Sequence, residues 1–177
     1  MNISKRTHRM VFSALVAAIY VALTFTQETI FPGSASMAVQ FRASEALTML
    51  CVFTPAAIPG VTVGCLIANT LTLGALPVDM LFGTLATLLS SALIYKLRAV
   101  TVKGIPVASA LMPALFNGVI IGLEIEVFFI EGSFNFVSFL MQGSLVAIGE
   151  LAVCFTLGLL LVKTIKNKKL EKYLLGI

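Results

Sequence analysis

Six apolar runs follow one another between Met10 and Val162, each bounded by charged residues or by Gly and Pro, with little chain left between them. About 20 apolar residues cross the hydrocarbon of a bilayer as a helix. In that medium each backbone N–H and C=O must find its partner inside the protein, which a helix provides. The runs therefore predict an all-α integral membrane fold of about six transmembrane helices, with residues 1–177 forming one membrane domain. Charge usage agrees: only 11% of the 177 residues are charged and 59% are hydrophobic, for a mean hydropathy of +1.04. A water-exposed domain carries about 25% charged residues, so too little polar surface remains for a separate soluble unit.

The first span is expected at about Met10 to Thr26. Its basic head and apolar run look like a signal peptide, but the cleavage-like Ser36-Met37-Ala38 lies about ten residues past the run, so a retained helix is the reading. A turn-rich loop, Gln27 to Gln40, contains Pro32 and Gly33. The second span begins near Arg42 and ends before Pro55, short enough to tilt or sit shallowly. The third covers Ala56 to Leu73 and is closed by Gly74-Ala75-Leu76-Pro77. The fourth covers Val78 to Tyr95, and a basic loop, Lys96 to Lys103, leads through Gly104 and Pro106 to a fifth at Val107 to Ile130. Gly132-Ser133 breaks the pattern before a sixth at Phe136 to Val162.

Eleven of the twelve Lys and Arg fall in three blocks: Lys5, Arg6, Arg9; Lys96, Arg98, Lys103; and Lys163, Lys166, Lys168, Lys169, Lys172. Six crossings put all three blocks on one side, with both termini, and the positive-inside rule makes that side the cytoplasm. Glu28, Asp79, Glu124, Glu126 and Glu131 fall on the other. No aromatic stacking motif interleaves with the basic residues, so the net charge of +4 does not indicate nucleic acid.

The polar residues inside the spans are the candidates for function, because a charge at bilayer depth is costly and usually faces a cavity or a partner. They are Glu45, Asn69, Asn117, Gln142 and Glu150. Arg42 and Glu45, three apart, can pair on one helical turn. Asn117 and Glu124, seven apart, lie on nearly one face. Each is open to a second reading as an ion pair or interhelical hydrogen bond that only fixes packing. Ala14, Ala18 and Ala22, four apart, form a small-residue face that admits a closely packed helix of this chain or of a partner. Gly60/Gly64 and Gly118/Gly122 read as internal packing pairs. Cys51, Cys65 and Cys154 sit in apolar runs without metal-ligand spacing, and the single histidine, His8, lies in the basic head. No H-E-x-x-H or phosphate-binding glycine loop occurs, and no histidine at depth is placed to activate a serine. The residues thus argue against an enzyme, and any ATP must be used by another subunit.

Val39-Gln40-Phe41-Arg42-Ala43-Ser44-Glu45-Ala46-Leu47-Thr48 is a recognisable string. Together with Pro55 to Gly60, Gly64 to Asn69 and Asp79 to Thr87, it resembles the QueT family of queuosine-precursor transporters, substrate-binding (S) components of energy-coupling factor (ECF) importers. The resemblance implies a prokaryotic cell-membrane protein that binds substrate near the outer face. Its expected partners are a transmembrane coupling subunit and two cytoplasmic ATPases, with no cofactor in this chain. It also implies that Ala14, Ala18 and Ala22 contact the coupling subunit. The implied ligands are 7-deazaguanine bases such as queuine and its precursors. A carboxylate can accept both N–H donors of a guanine-like edge, and an Asn or Gln amide can serve the rest. Glu45 leads the expected contacts, oriented by Arg42, followed by Asn69, Asp79, Asn117 and Glu150, with Gln40, Gln142 and Glu124 as further polar candidates. Phe41, Phe116 and Phe128 are candidates to cover the ring.

Two other classes fit the same features. A stand-alone secondary transporter would use Glu45 or Glu150 as proton carrier, although the paired repeats of many such carriers are missing. A membrane scaffold would bind no ligand at all.

Overall fold

A computed structural model describes residues 3–34, 39–72 and 76–175. Ser36-Met37-Ala38, the expected end of the third span at Leu73 with Gly74 and Ala75, and Gly176 lie outside the described residues. The helices are α1 (Ile3–Ile30), a 3-10 helix (Ala43–Val52), α2 (Ala57–Leu71), α3 (Pro77–Leu97), α4 (Val107–Glu124), α5 (Phe136–Val153), α6 (Leu159–Asn167) and the short α7 (Glu171–Leu175). A π-turn, Ile125–Phe129, prolongs α4, and another, Cys154–Gly158, joins α5 to α6. Among the described residues, four helical stretches are long and apolar enough to cross a membrane: Lys5–Ile30, Pro77–Leu97, Val107–Phe129 and Phe136–Asn167.

The expected second span is not an α-helix of membrane length. At about 2.0 Å per residue the 3-10 helix reaches roughly 20 Å, against about 30 Å of hydrocarbon. Residues 44–52 are all buried, so neighbouring helices enclose it on every side. Three residues per turn stack Glu45, Thr48 and Cys51 along one edge, and the Thr48 hydroxyl donates to the Glu45 carbonyl at 2.6 Å. With α2, it makes a pair of shorter apolar elements beside the four long ones. Two expected boundaries also move outward. Nothing between Thr26 and Pro32 breaks a helix, so α1 continues to Ile30. Lys163 and Lys166 are good helix formers whose stems can lie along apolar surface, so the last stretch runs to Asn167.

Contacts between elements set the direction of each. Thr24 meets Ser44 and Ser13 meets the Ala56 carbonyl, so residues 43–56 run back along α1. Gly60 and Gly64 then pack on Ser13, Val16, Ala17 and Tyr20, so α2 runs parallel to α1. α3 returns, with Gly83 on Asn69 and Thr87 on Cys65. α4 starts where α3 ends, the Ser109 hydroxyl donating to the Ile94 carbonyl. Gly118 and Gly122 of α4 meet Gly143 of the descending α5 at backbone contact. The six segments thus alternate in direction, gathering all three basic blocks at one end and Glu28, Asp79, Glu124 and Glu126 at the other. The pairs Gly60/Gly64 and Gly118/Gly122 are internal seams, since close helix approach needs missing side chains.

Candidate functional site

Five elements bring polar groups to one buried cluster. Glu45, from the 3-10 helix, is 1% exposed; its Oε1 accepts from the Tyr20 hydroxyl of α1 and, at 3.3 Å, from the Thr87 hydroxyl of α3. Glu150 of α5, also 1% exposed, accepts at Oε1 from the Asn117 amide of α4 at 2.8 Å. The two carboxylates and the Arg42 guanidinium are near enough to act on one another electrostatically. Arg42 also approaches Gly83, where a Cβ would come within 4.0 Å of its Nη1. Oε2 of Glu45 and Oε2 of Glu150 are buried and accept no hydrogen bond among the described residues. Tyr20 lies ten residues before the end of α1, roughly 15 Å of helix. The cluster therefore sits near the middle of α1, deeper than the outer-face binding that the resemblance implies.

The chain leading into the 3-10 helix is pinned locally. The Gln27 side-chain amide donates to the Phe41 carbonyl and, at 2.7 Å, to the Ser34 hydroxyl, while its oxygen accepts from the Ala43 N–H at 2.7 Å. The Gln40 backbone lies against Gly149, where a Cβ would meet its carbonyl oxygen at 2.0 Å. Only glycine fits there, one residue before Glu150. The loop into the 3-10 helix is thereby seated on α5.

The remaining expected contacts go elsewhere. Asn69 bridges α2 and α3, its amide donating to the Asp79 carbonyl at 3.2 Å and to the Cys65 sulfur at 3.6 Å. Asp79 caps α3, its Oδ2 accepting from the Leu76 N–H at 2.6 Å. Glu124 is buried beside Asp79, not beside Asn117's partner Glu150, and its Oε1 is unpaired among the described residues. Glu126, turned inward by the π-turn, accepts from the Asn135 N–H at 2.8 Å. Gln142 is half-buried, and Phe41 is 45% exposed, outside the cluster. Phe128 is exposed as well and packs edge-on against Phe82. Tyr20 and Thr87 are the partners the sequence did not single out. Ala14, Ala18 and Ala22 are all exposed, on the face of α1 turned away from α2.

Residues 10–167 match the family described as QueT transporter. The chain belongs to that family. It is also similar to the queuosine precursor transporter QueT of Lactococcus lactis subsp. cremoris (strain MG1363), 40% identical over 86 residues. That alignment covers 47% of this chain and 47% of the relative, about half its length. No solved structure matches. With its membership of this family and its four membrane-length helices, the chain is a multi-pass protein of the cell membrane.

Proposed function

We propose that this QueT-family chain is the substrate-binding component of an ATP-driven ECF importer. It captures a queuosine precursor, a 7-deazaguanine base, from the acidic side and delivers it inward. A transmembrane coupling subunit and two cytoplasmic ATPases supply the work. The observation that carries the reading is the pair of buried carboxylates, Glu45 and Glu150, each with one oxygen committed and the other unpaired among the described residues. An unpaired carboxylate oxygen at bilayer depth is costly; a ligand that donates N–H bonds relieves the cost. A guanine-like edge offers two adjacent donors and a carbonyl acceptor, complementary to a carboxylate and an Arg or Asn donor. The similarity to the Lactococcus queuosine precursor transporter supports the substrate class. The exposed Ala14, Ala18 and Ala22 support an intramembrane partner on α1, because small side chains let a second helix approach closely.

Two measurements on purified protein test this: mass spectrometry of extracted small molecules, and equilibrium binding of a 7-deazaguanine to wild type and Glu45→Gln. The expected result is a bound 7-deazaguanine and at least about a tenfold loss of affinity in the folded variant, since a hydrogen bond to a charged group contributes about 1.5–3 kcal/mol. Adenine analogues should bind poorly to both. A flux that depends on protons and needs no ATPase would instead identify a secondary transporter.

A further inference from the structure

At the basic end, away from the carboxylate cluster, the chain turns tightly between α3 and α4. Val102 and Ile105 pair across the turn, with Lys103 at φ 51° and Gly104 at φ 78°. Lys166 of α6 donates its ammonium to the Gly104 carbonyl at 3.2 Å and ties the turn to the last long helix. Between them lies a groove of about 440 Å³, within the range of roughly 300–1,000 Å³ common for small-ligand sites. Its walls divide into two chemistries. Lys103, Lys163 and Lys166 supply three positive charges, while Ile105, Leu159 and Leu160 supply apolar surface. No acidic residue is among those lining it, so nothing in the groove neutralises the lysines. Ile105 and Leu160 are 46% and 59% exposed and continue the groove onto the apolar outer surface of the bundle.

We propose that this groove binds an anionic phospholipid. The phosphate-bearing headgroup would sit among Lys103, Lys163 and Lys166, with an acyl chain along Ile105, Leu159 and Leu160. A free anion would satisfy the lysines but leave the apolar wall uncovered, and a neutral lipid would do the reverse. Only a molecule with both parts matches both walls. The positive-inside rule puts this end at the cytoplasmic leaflet, and basic pockets between helices on that side suit anionic headgroups. The site is independent of the transported molecule.

The test uses the full chain, purified and analysed by native mass spectrometry with phosphatidylglycerol, with phosphatidylcholine of the same acyl chains, and with inorganic phosphate as competitor. Phosphatidylglycerol should remain bound where phosphatidylcholine is stripped, and phosphate should displace it poorly. Lys103→Gln with Lys163→Gln, which leaves the Lys166 tether intact, should weaken phosphatidylglycerol retention at least about tenfold. Neutralising Lys5 and Arg6 to Gln, the same charge removed elsewhere on the basic end, should not. Equal retention of both lipids, or equal loss in both double variants, overturns a built site. Displacement by phosphate alone would show a free-anion site. Unchanged lipid retention with loss of a co-purifying protein would show that the groove receives a protein partner.

Discussion

Tyr20, Thr87 and Asn117 each give a hydrogen bond to a buried carboxylate, and that single fact separates them from the other polar residues at depth. Tyr20→Phe keeps the ring but removes the donor to Glu45. Leaving a buried acceptor short of a partner costs about 1–3 kcal/mol, so a lower melting temperature in detergent is expected. An unchanged melt would mean the bond contributes nothing in the folded protein. Asn69→Ala, by contrast, breaks a link between α2 and α3. It should lower stability while leaving ligand affinity within about threefold, as measured by titration; a tenfold loss of binding would return Asn69 to the site. In the sequence Asn69 and Asn117 look alike, both lone amides in apolar runs. Which neighbour each meets depends on how the helices are placed, and spacing along one helix carries no information about that. Glu45 and Glu150 were legible because a carboxylate at depth is conspicuous wherever it lies. Tyr20 was not, since a tyrosine in a span reads as ordinary apolar surface with a polar tip.

Among the elements, α1 has two faces with opposite demands. Toward α2, a Cβ on Gly64 would meet the Tyr20 side chain at 2.7 Å and the Ala17 backbone at 3.1 Å, whereas Ala18 on the other face is exposed. Gly64→Val should therefore destabilise the isolated protein by about 1–3 kcal/mol through overpacking, read as a lower thermal midpoint. Ala18→Leu should leave that midpoint and ligand binding unchanged while weakening co-purification of the proposed coupling subunit. Lost ligand binding with assembly intact would contradict the division of faces. The long helices could be read from apolar run length and flanking charge. The 3-10 helix could not, because its string Ala43 to Val52 is apolar enough for a span and nothing in its spacing distinguishes three residues per turn from 3.6. The sequence also hid that the glycine at 149 exists for the Gln40 backbone, a contact between residues more than a hundred positions apart.

For the whole molecule, the segregation of charge makes a simple expectation. Gly33 and Gly132 both turn the chain at the acidic end, with φ of 81° and 121°. Tags inserted there should be labelled by an impermeant reagent on intact cells, and a tag after Gly104 should not; labelling of the latter would invert the orientation. The gathering of the basic blocks at one end was readable because basic clusters mark loop ends directly, whereas the place of the carboxylate cluster along the bundle depends on how far each helix extends. The enclosed Ala43–Val52 helix has a consequence for how the chain is made. It is too short to enter a bilayer unaided, and it carries Glu45. When Glu45 leaves the ribosome, Tyr20 has already been synthesised, but Thr87, Asn117 and Glu150 have not. Of its hydrogen-bond donors and cluster neighbours, the acid thus has only Arg42 and Tyr20 at hand during early insertion and acquires the rest as α3, α4 and α5 arrive. Glu150 is made last of its members, so the polar cluster is among the last features of the newborn protein to be completed.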